Sequence, residues 1–335
     1  MKLLAPIRSI EELDMLVGCG AEELYCGVFP EEWLKRFGGA VWVNRRPPRS
    51  GNLGSLTELR ELARQASRLG IPLHVTLNSP HYGLAVEKAV LELATECREA
   101  GVSALILADP GIIARLLEQD PSWAIHVSSV AAVLNSMSAR FFRSLGVRRI
   151  ILPRSLTLPE IDRIAGAVPE VELEAFLLND SCAFEEGFCH TTHHPAVGAY
   201  CTALAGLQHF VESAGGELDE TRRRHIADTL LAYHRWISER NLCGPTQGNG
   251  QPVPVPCALC AIPTLARSGI AAVKIVGREI GLGRKAVSVS LVRAILDRHR
   301  AGATPEELSS LARKMRGDPT GCASGIHCYY PLGEE

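Results

Sequence analysis

The chain has 335 residues, 46% hydrophobic, 21% charged and 5% aromatic, enough apolar material for one large core or two modest ones and too much for a disordered chain. Thirty-five lysines and arginines against 37 aspartates and glutamates leave a formal net charge of -2, so bulk charge gives no basis for a protein that coats a long polyanion or a membrane surface. Eleven cysteines are the unusual feature. The opening Met1-Lys-Leu-Leu-Ala-Pro6 has no secretory apolar region, and no apolar run approaches the roughly 20 residues of a membrane span. The expectation is a cytoplasmic chain with reduced thiols, in which clustered cysteines read as metal ligands or nucleophiles rather than disulfides.

Short β-branched or apolar runs recur along the chain at residues 2–6, 23–27, 73–78, 104–108, 125–128, 149–153, 172–178 and 271–276. Segments with helical spacing separate them. Leu56, Leu59, Ala63, Ala66 and Leu69 share one helical face that ends at Gly70, and Val86, Val90, Leu93, Cys97 and Ala100 repeat the pattern before Gly101. Eight βα units predict an α/β fold, a TIM-like (β/α)8 barrel over residues 1–300, with an open doubly wound sheet as the weaker alternative. The regularity breaks between strands seven and eight, where residues 179–256 form a Cys/His-rich insertion with one helical segment and a Gly/Pro-rich run. Insertions at the C-terminal end of a barrel strand are where functional loops sit. Val287, Leu291, Ala294 and Ile295 mark the closing helix, and residues 301–335 add a further helix and a tail carrying Cys322 and Cys328.

Cys182 and Cys189 stand with six residues between them directly after strand seven, followed by Cys201, Cys257 and Cys260. A cubane cluster needs four thiolates converging from loops and tolerates varied spacing, because each iron takes one protein ligand. The paired CxxC motifs of a zinc ribbon are tighter, and only Cys257 and Cys260 show such spacing. Cys97 on its apolar helical face, Cys26 in strand two and Cys19 in a Gly-Cys-Gly turn read as structural. His190, His193 and His194 suit zinc, a substrate or a solvated loop equally.

At the C-terminal strand ends, Asn78, His126, Ser128, Arg154, Lys274 and Arg278 are the candidates to meet a substrate. The guanidinium forks of Arg154 and Arg278 fit carboxylate or phosphate, against the plainer reading of a rim salt bridge. His126 shares a strand face with Ser128 and reads equally as a satisfied interior histidine. Residues 44–53, basic and stiffened by prolines, lie at the same rim and either grip an anion or stay solvated. Gly281-Leu-Gly-Arg-Lys-Ala286 imitates a dinucleotide fingerprint without its βαβ context, leaving at most a phosphate-friendly helix start. Neither His-Glu-x-x-His nor Gly-x-Ser-x-Gly occurs.

Several segments resemble, in order and position, the peptidase U32 family: Ala5-Pro-Ile-Arg-Ser-Ile-Glu11, Gly20-Ala-Glu-Glu-Leu-Tyr-Cys-Gly27, His74-Val-Thr-Leu-Asn78, Asp109-Pro-Gly111, Ile125-His-Val-Ser-Ser129 and Pro153-Arg-Ser-Leu-Thr-Leu158. Cys182-x4-Gly187-x-Cys189 after Glu174-Ala-Phe176 resembles the family signature, and Gly269-Ile-Ala-Ala-Val-Lys-Ile-Val-Gly-Arg278 its Lys-Ile-Glu-Gly-Arg segment. The family holds collagenase-like peptidases, RNA hydroxylation proteins and the ubiquinone-biosynthesis proteins U and V. The resemblance implies a [4Fe-4S] cluster supporting oxygen-independent hydroxylation, with prephenate as oxygen donor. By position it assigns the cluster to Cys182, Cys189, Cys201 and Cys257, with Cys260 as the alternate fourth ligand. Cys243, Cys260, Cys322 and Cys328 are then left over, a set that would suit a second cluster or zinc. Leu178-Asn179, Val276 and His190-Thr191 depart from the family pattern and mark a divergent branch.

The expected function is therefore an iron-sulfur protein that supports hydroxylation of RNA or a quinone precursor, as enzyme or subunit beside a family-related partner. Peptidase activity and a non-catalytic redox or partner subunit are the alternatives. Near-zero net charge favours a pocket-sized anionic substrate, a small molecule or single nucleotide, over a long polyanion.

Overall fold

The computed structural model describes residues 1–38, 41–48, 51–182, 184–189, 193–194, 198–199, 219–240 and 256–330, of which 193–194, 198–199 and 238–240 are described by backbone alone. His190, Cys201 and Cys243 lie outside the described residues. The strands are β1 (Lys2–Pro6), β2 (Glu23–Gly27), β3 (Leu73–Leu77), β4 (Ala104–Leu107), β5 (Ile125–Val127), β6 (Arg149–Ile151) and β7 (Glu172–Leu178), then a short antiparallel pair, β8 (His193–His194) and β9 (Gly198–Ala199), and finally β10 (Ala272–Ile275). All but the short pair are parallel and close into a barrel in the order β1-β10-β7-β6-β5-β4-β3-β2. This is the expected TIM-like barrel. Several apolar runs outlast their strands by one or two residues, because Asn78, Ser128 and Pro153 already belong to the loops leaving the mouth.

Helices α1 (Leu13–Gly18), α2 (Glu31–Phe37), α3 (Leu56–Arg68), α4 (Leu84–Glu99), α5 (Pro110–Gln119), α6 (Ser136–Leu145) and α7 (Leu158–Ala167) fill the connections. Their ends are written in local chemistry. The Ser55 hydroxyl accepts from Glu58 N at the start of α3, and Gly70 follows its end at φ +69°, a left-handed turn that favours glycine. Asp109 caps α5 ahead of Pro110, and Thr157 with Glu160 forms a capping box on α7. After α8 (Glu220–Arg240) come α9 (Ile262–Arg267), α10 (Leu282–Arg300), α11 (Pro305–Arg316) and α12 (Pro319–Ser324). Among the described residues no helix is long and apolar enough to cross a membrane.

The barrel interior departs from the usual layers of branched aliphatic side chains. Arg149 Nη1 lies 2.6 Å from Glu23 Oε2 and 3.1 Å from Glu174 Oε2, while Lys274 Nζ meets Glu174 Oε1 at 3.1 Å. His74 Nε2 stands 3.3 Å from Glu23, and the His74 ring lies 4.7 Å from that of His126, tilted by 59°. A buried ion-pair layer therefore forms the floor beneath the mouth. The tail folds back over the mouth end of β7: Tyr329 OH donates to Asp180 O at 2.6 Å and Tyr330 OH to Phe176 O at 3.1 Å.

Candidate functional site

The C-terminal ends of the strands surround a cavity of about 110 Å³. Side chains spaced two apart on each strand share the inward face, so β3 sends in Thr76 ahead of Asn78, β7 sends in Phe176, and β10 with its loop sends in Lys274 and Arg278. Five of the six strand-end candidates, Asn78, Ser128, Arg154, Lys274 and Arg278, line it together. His126 does not. It sits one inward position below Ser128, 1% exposed against His74, because the strand alternation puts it in the floor. Burial holds it well below the usual histidine range, and the charges of His74 and Arg149 add to that.

The cations at the mouth differ in how they are balanced. Arg154 stacks 4.4 Å over Phe176, donates to Asp180 O at 2.7 Å and pairs with Glu186 at 3.4 Å; the rim salt bridge is realised there. Glu186 is held below the usual carboxylate range although burial opposes this, because Arg154 and the Ser129 hydroxyl prevail. Lys274 is balanced by Glu174 and lies 4.1 Å over the Tyr25 ring, its pKa lowered by burial. Arg46 pairs with Asp180 at 2.9 Å and Glu279 at 3.1 Å.

Arg278 is different. It is 5% exposed, and its guanidinium donates to Thr76 Oγ1 at 2.8 Å, Asn44 Oδ1 at 3.1 Å and Asn52 Oδ1 at 3.2 Å. All three acceptors are neutral, and among the described residues no carboxylate forms an ion pair with it. Buried charges are normally paired; this one is satisfied by neutral acceptors. Gly27 makes the arrangement possible, since a Cβ there would overlap both the Arg278 guanidinium and Asn52 Oδ1. Across the cavity Asn78 Nδ2 donates to Ser128 Oγ at 3.0 Å, while the buried Asn78 Oδ1 has no partner.

Sequence reasoning missed Gly27, Asn44, Asn52 and Thr76. The signal for the asparagines was in plain view: Asn44 and Asn52 bracket the basic loop, and Asn44 Nδ2 donates to Asn52 Oδ1 at 2.9 Å. That loop is not merely solvated, since Arg45 and Arg46 line the mouth. Residues 281–286 contribute no phosphate contact through Lys285, which is buried against Glu12 at 2.7 Å.

The cysteines divide between two places. Cys182 and Cys189 line the mouth, on a loop held down by Ser129 to Glu186 and Ser155 to Glu185, each at 2.6 Å. Gly187 lets this loop press on the chain after β5, where a Cβ would crowd Ala132 and Val130 O. Cys257 lines a second cavity with Cys260, Cys322 and Cys328. Of the four thiols that the resemblance assigned to one cluster, Cys182 and Cys189 thus line the mouth, Cys257 lines the second cavity and Cys201 lies outside the described residues. Cys26 and Cys97 are fully buried, and burial pushes the Cys26 thiol up to about 12; both are structural.

The family model for peptidase family U32 matches residues 8–324. The chain belongs to the peptidase U32 family. Relatives of this U32 chain include the tRNA hydroxylation protein P of Escherichia coli, 28% identical over 188 residues, which are 56% of this chain and 38% of that protein. The protein of that name from Helicobacter pylori (strain ATCC 700392 / 26695) is 29% identical over 189 residues, 56% of this chain and 42% of its own. A Porphyromonas gingivalis protein named collagenase is 23% identical over 205 residues, 58% of this chain and 45% of that one. The chain spans about two fifths of the length of the tRNA hydroxylation proteins it matches. Among solved structures, the U32 peptidase Mk0906 aligns at TM-score 0.44 and 17% identity over 59% of this chain and 85% of its own.

Proposed function

We propose that this U32 chain binds a single nucleotide of an RNA at the barrel mouth and supports its oxygen-independent hydroxylation, as enzyme or subunit, with an iron-sulfur cluster as its redox group. The observation that carries the reading is Arg278, a buried cation held by neutral acceptors. A phosphate or carboxylate supplies the missing charge through a bidentate contact. The mouth, a cleft of about 110 Å³, suits a small group such as one base or a small acid and not a duplex.

Two further features favour a nucleotide over a quinone precursor. Phe184 lines the mouth, is 43% exposed and stands 6.0 Å from Trp236 of α8; exposed rings of this kind stack splayed-out bases. Asn78 Oδ1 is a buried acceptor for a base N–H. Relatives named as tRNA hydroxylation proteins point the same way. Prephenate, the donor implied by the resemblance, is a small dicarboxylate that would compete for Arg278. Bound to the chain, a cluster supplies one-electron transfer; the residues of the mouth bind and orient.

The test is nucleoside analysis of RNA from a strain lacking the gene. Loss of a hydroxylated nucleoside, restored by the wild-type chain, is expected. An unchanged nucleoside profile with altered quinones contradicts the RNA reading, and peptide cleavage by a Cys182→Ala/Cys189→Ala chain would favour the peptidase alternative.

A further inference from the structure

The second cavity lies beside the C-terminal end of β7, where α12 and the tail meet the turn that precedes α9. Its volume is about 420 Å³. Cys257 and Cys260 come from that turn, Cys322 from α12, and Cys328 from the tail. The segments are zipped together by backbone: Cys257 N donates to His327 O at 2.8 Å and Tyr329 N to Cys257 O at 3.1 Å. Tyr329 and Tyr330 pin the tail to the end of β7, so the convergence is built into the fold.

We propose that Cys257, Cys260, Cys322 and Cys328 hold an iron-sulfur cluster of the [4Fe-4S] type. A single zinc ion draws four thiolates to about 3.8 Å from one another, given ~2.3 Å bonds in tetrahedral geometry. Among the described residues no group of three or more His, Cys, Asp or Glu side chains is arranged to hold one ion. A cubane sets each thiolate on a different iron, so its ligands line a cavity rather than converge on one point, and these four cysteines line one of about 420 Å³. Leu259 N–H donates to Cys257 Sγ at 3.5 Å, the type of contact that tunes cluster sulfurs. Arg313 and Arg316 line the cavity and offset the negative charge of four thiolates, while Asp318 is engaged with His327 at 3.2 Å. A cleft of about 180 Å³, lined by Arg154, Cys182, His327 and Cys328, joins this cavity to the mouth.

The inference rests on the reading of the chain as an iron-sulfur protein but is independent of its substrate, and it gives Cys257 different neighbours from those the resemblance implied. Anaerobically purified chain is compared with Cys322→Ser/Cys328→Ser, Cys182→Ser/Cys189→Ser and the control Cys19→Ser, reading iron, acid-labile sulfide, zinc, visible absorption and circular dichroism. The expected result is that Cys322→Ser/Cys328→Ser loses four irons and four sulfides per chain with helical signal intact, while Cys182→Ser/Cys189→Ser and Cys19→Ser keep them. If the first double variant folds poorly, Cys260→Asp is used, and a changed paramagnetic signal of the reduced cluster is expected. Iron kept by Cys322→Ser/Cys328→Ser and lost with Cys182 and Cys189 overturns this site while leaving an iron-sulfur protein. Zinc in place of iron overturns the site's chemistry, and a wild-type chain without iron or sulfide overturns both readings.

Discussion

The two cavities teach different lessons about how this barrel is furnished. The mouth, about 110 Å³, is lined largely by side chains from the ends of different strands and is polar and cationic; the tail cavity, about 420 Å³, is lined by four thiols from two stretches more than 60 residues apart. The first is what a (β/α)8 barrel provides by alternation alone. The second exists only because the tail returns to pair with Cys257. The cations thus belong to the barrel and the group of four cysteines to its closure, and Cys182 and Cys328 both line the cleft of about 180 Å³ between them.

Substitutions should separate these roles, beginning with the largest effect. Replacing Arg149 by Ala leaves Glu23 and Glu174 buried without their shared cation and should cost about 3–5 kcal/mol of stability, seen as a lower midpoint in chemical denaturation that spoils both cavities alike. Arg278→Ala should weaken nucleotide binding about 10- to 100-fold, in line with ~1.5–3 kcal/mol for hydrogen bonds to a charged group, with iron content unchanged in titration calorimetry and metal analysis. Gly27→Ala should approach that loss without removing the charge, because the added Cβ pushes the guanidinium aside. Phe184→Ala should weaken single-stranded RNA binding by ~1–3 kcal/mol and leave binding of free inorganic phosphate untouched.

The smallest effect is on pH dependence. His126 stays neutral in the folded barrel, its pKa lowered by burial, whereas the unfolded chain takes up a proton below about pH 6.5. Its contribution is therefore full above that value and is lost as pH falls. Glu23, lowered by His74 and Arg149 in spite of its burial, adds a further loss below about pH 4. Thermal midpoints should fall with acidification, and His126→Gln should flatten the upper part of that fall.

The barrel was legible because eight apolar runs alternate with helical faces closed by glycines such as Gly70 and Gly101. Asn78, Ser128, Lys274 and Arg278 were legible because a strand end in a parallel barrel has only one destination. His126 was misplaced by a single inward position, which alternation alone does not resolve without knowing where the cavity floor lies. Asn44, Asn52 and Thr76 stayed hidden because they matter only as neutral partners of a distant arginine, 202 or more residues away in sequence. The grouping of Cys257 with Cys322 and Cys328 was equally closed to spacing arguments: it depends on tyrosines in the tail finding carbonyls at the end of β7.

The most direct measurement is the abundance of hydroxylated nucleosides in RNA from a gene-deletion strain complemented with wild-type chain or with Arg278→Ala. Wild type restores the modification, and Arg278→Ala, folded and with its full iron content, does not. Full restoration by Arg278→Ala would contradict the mouth as the nucleotide site.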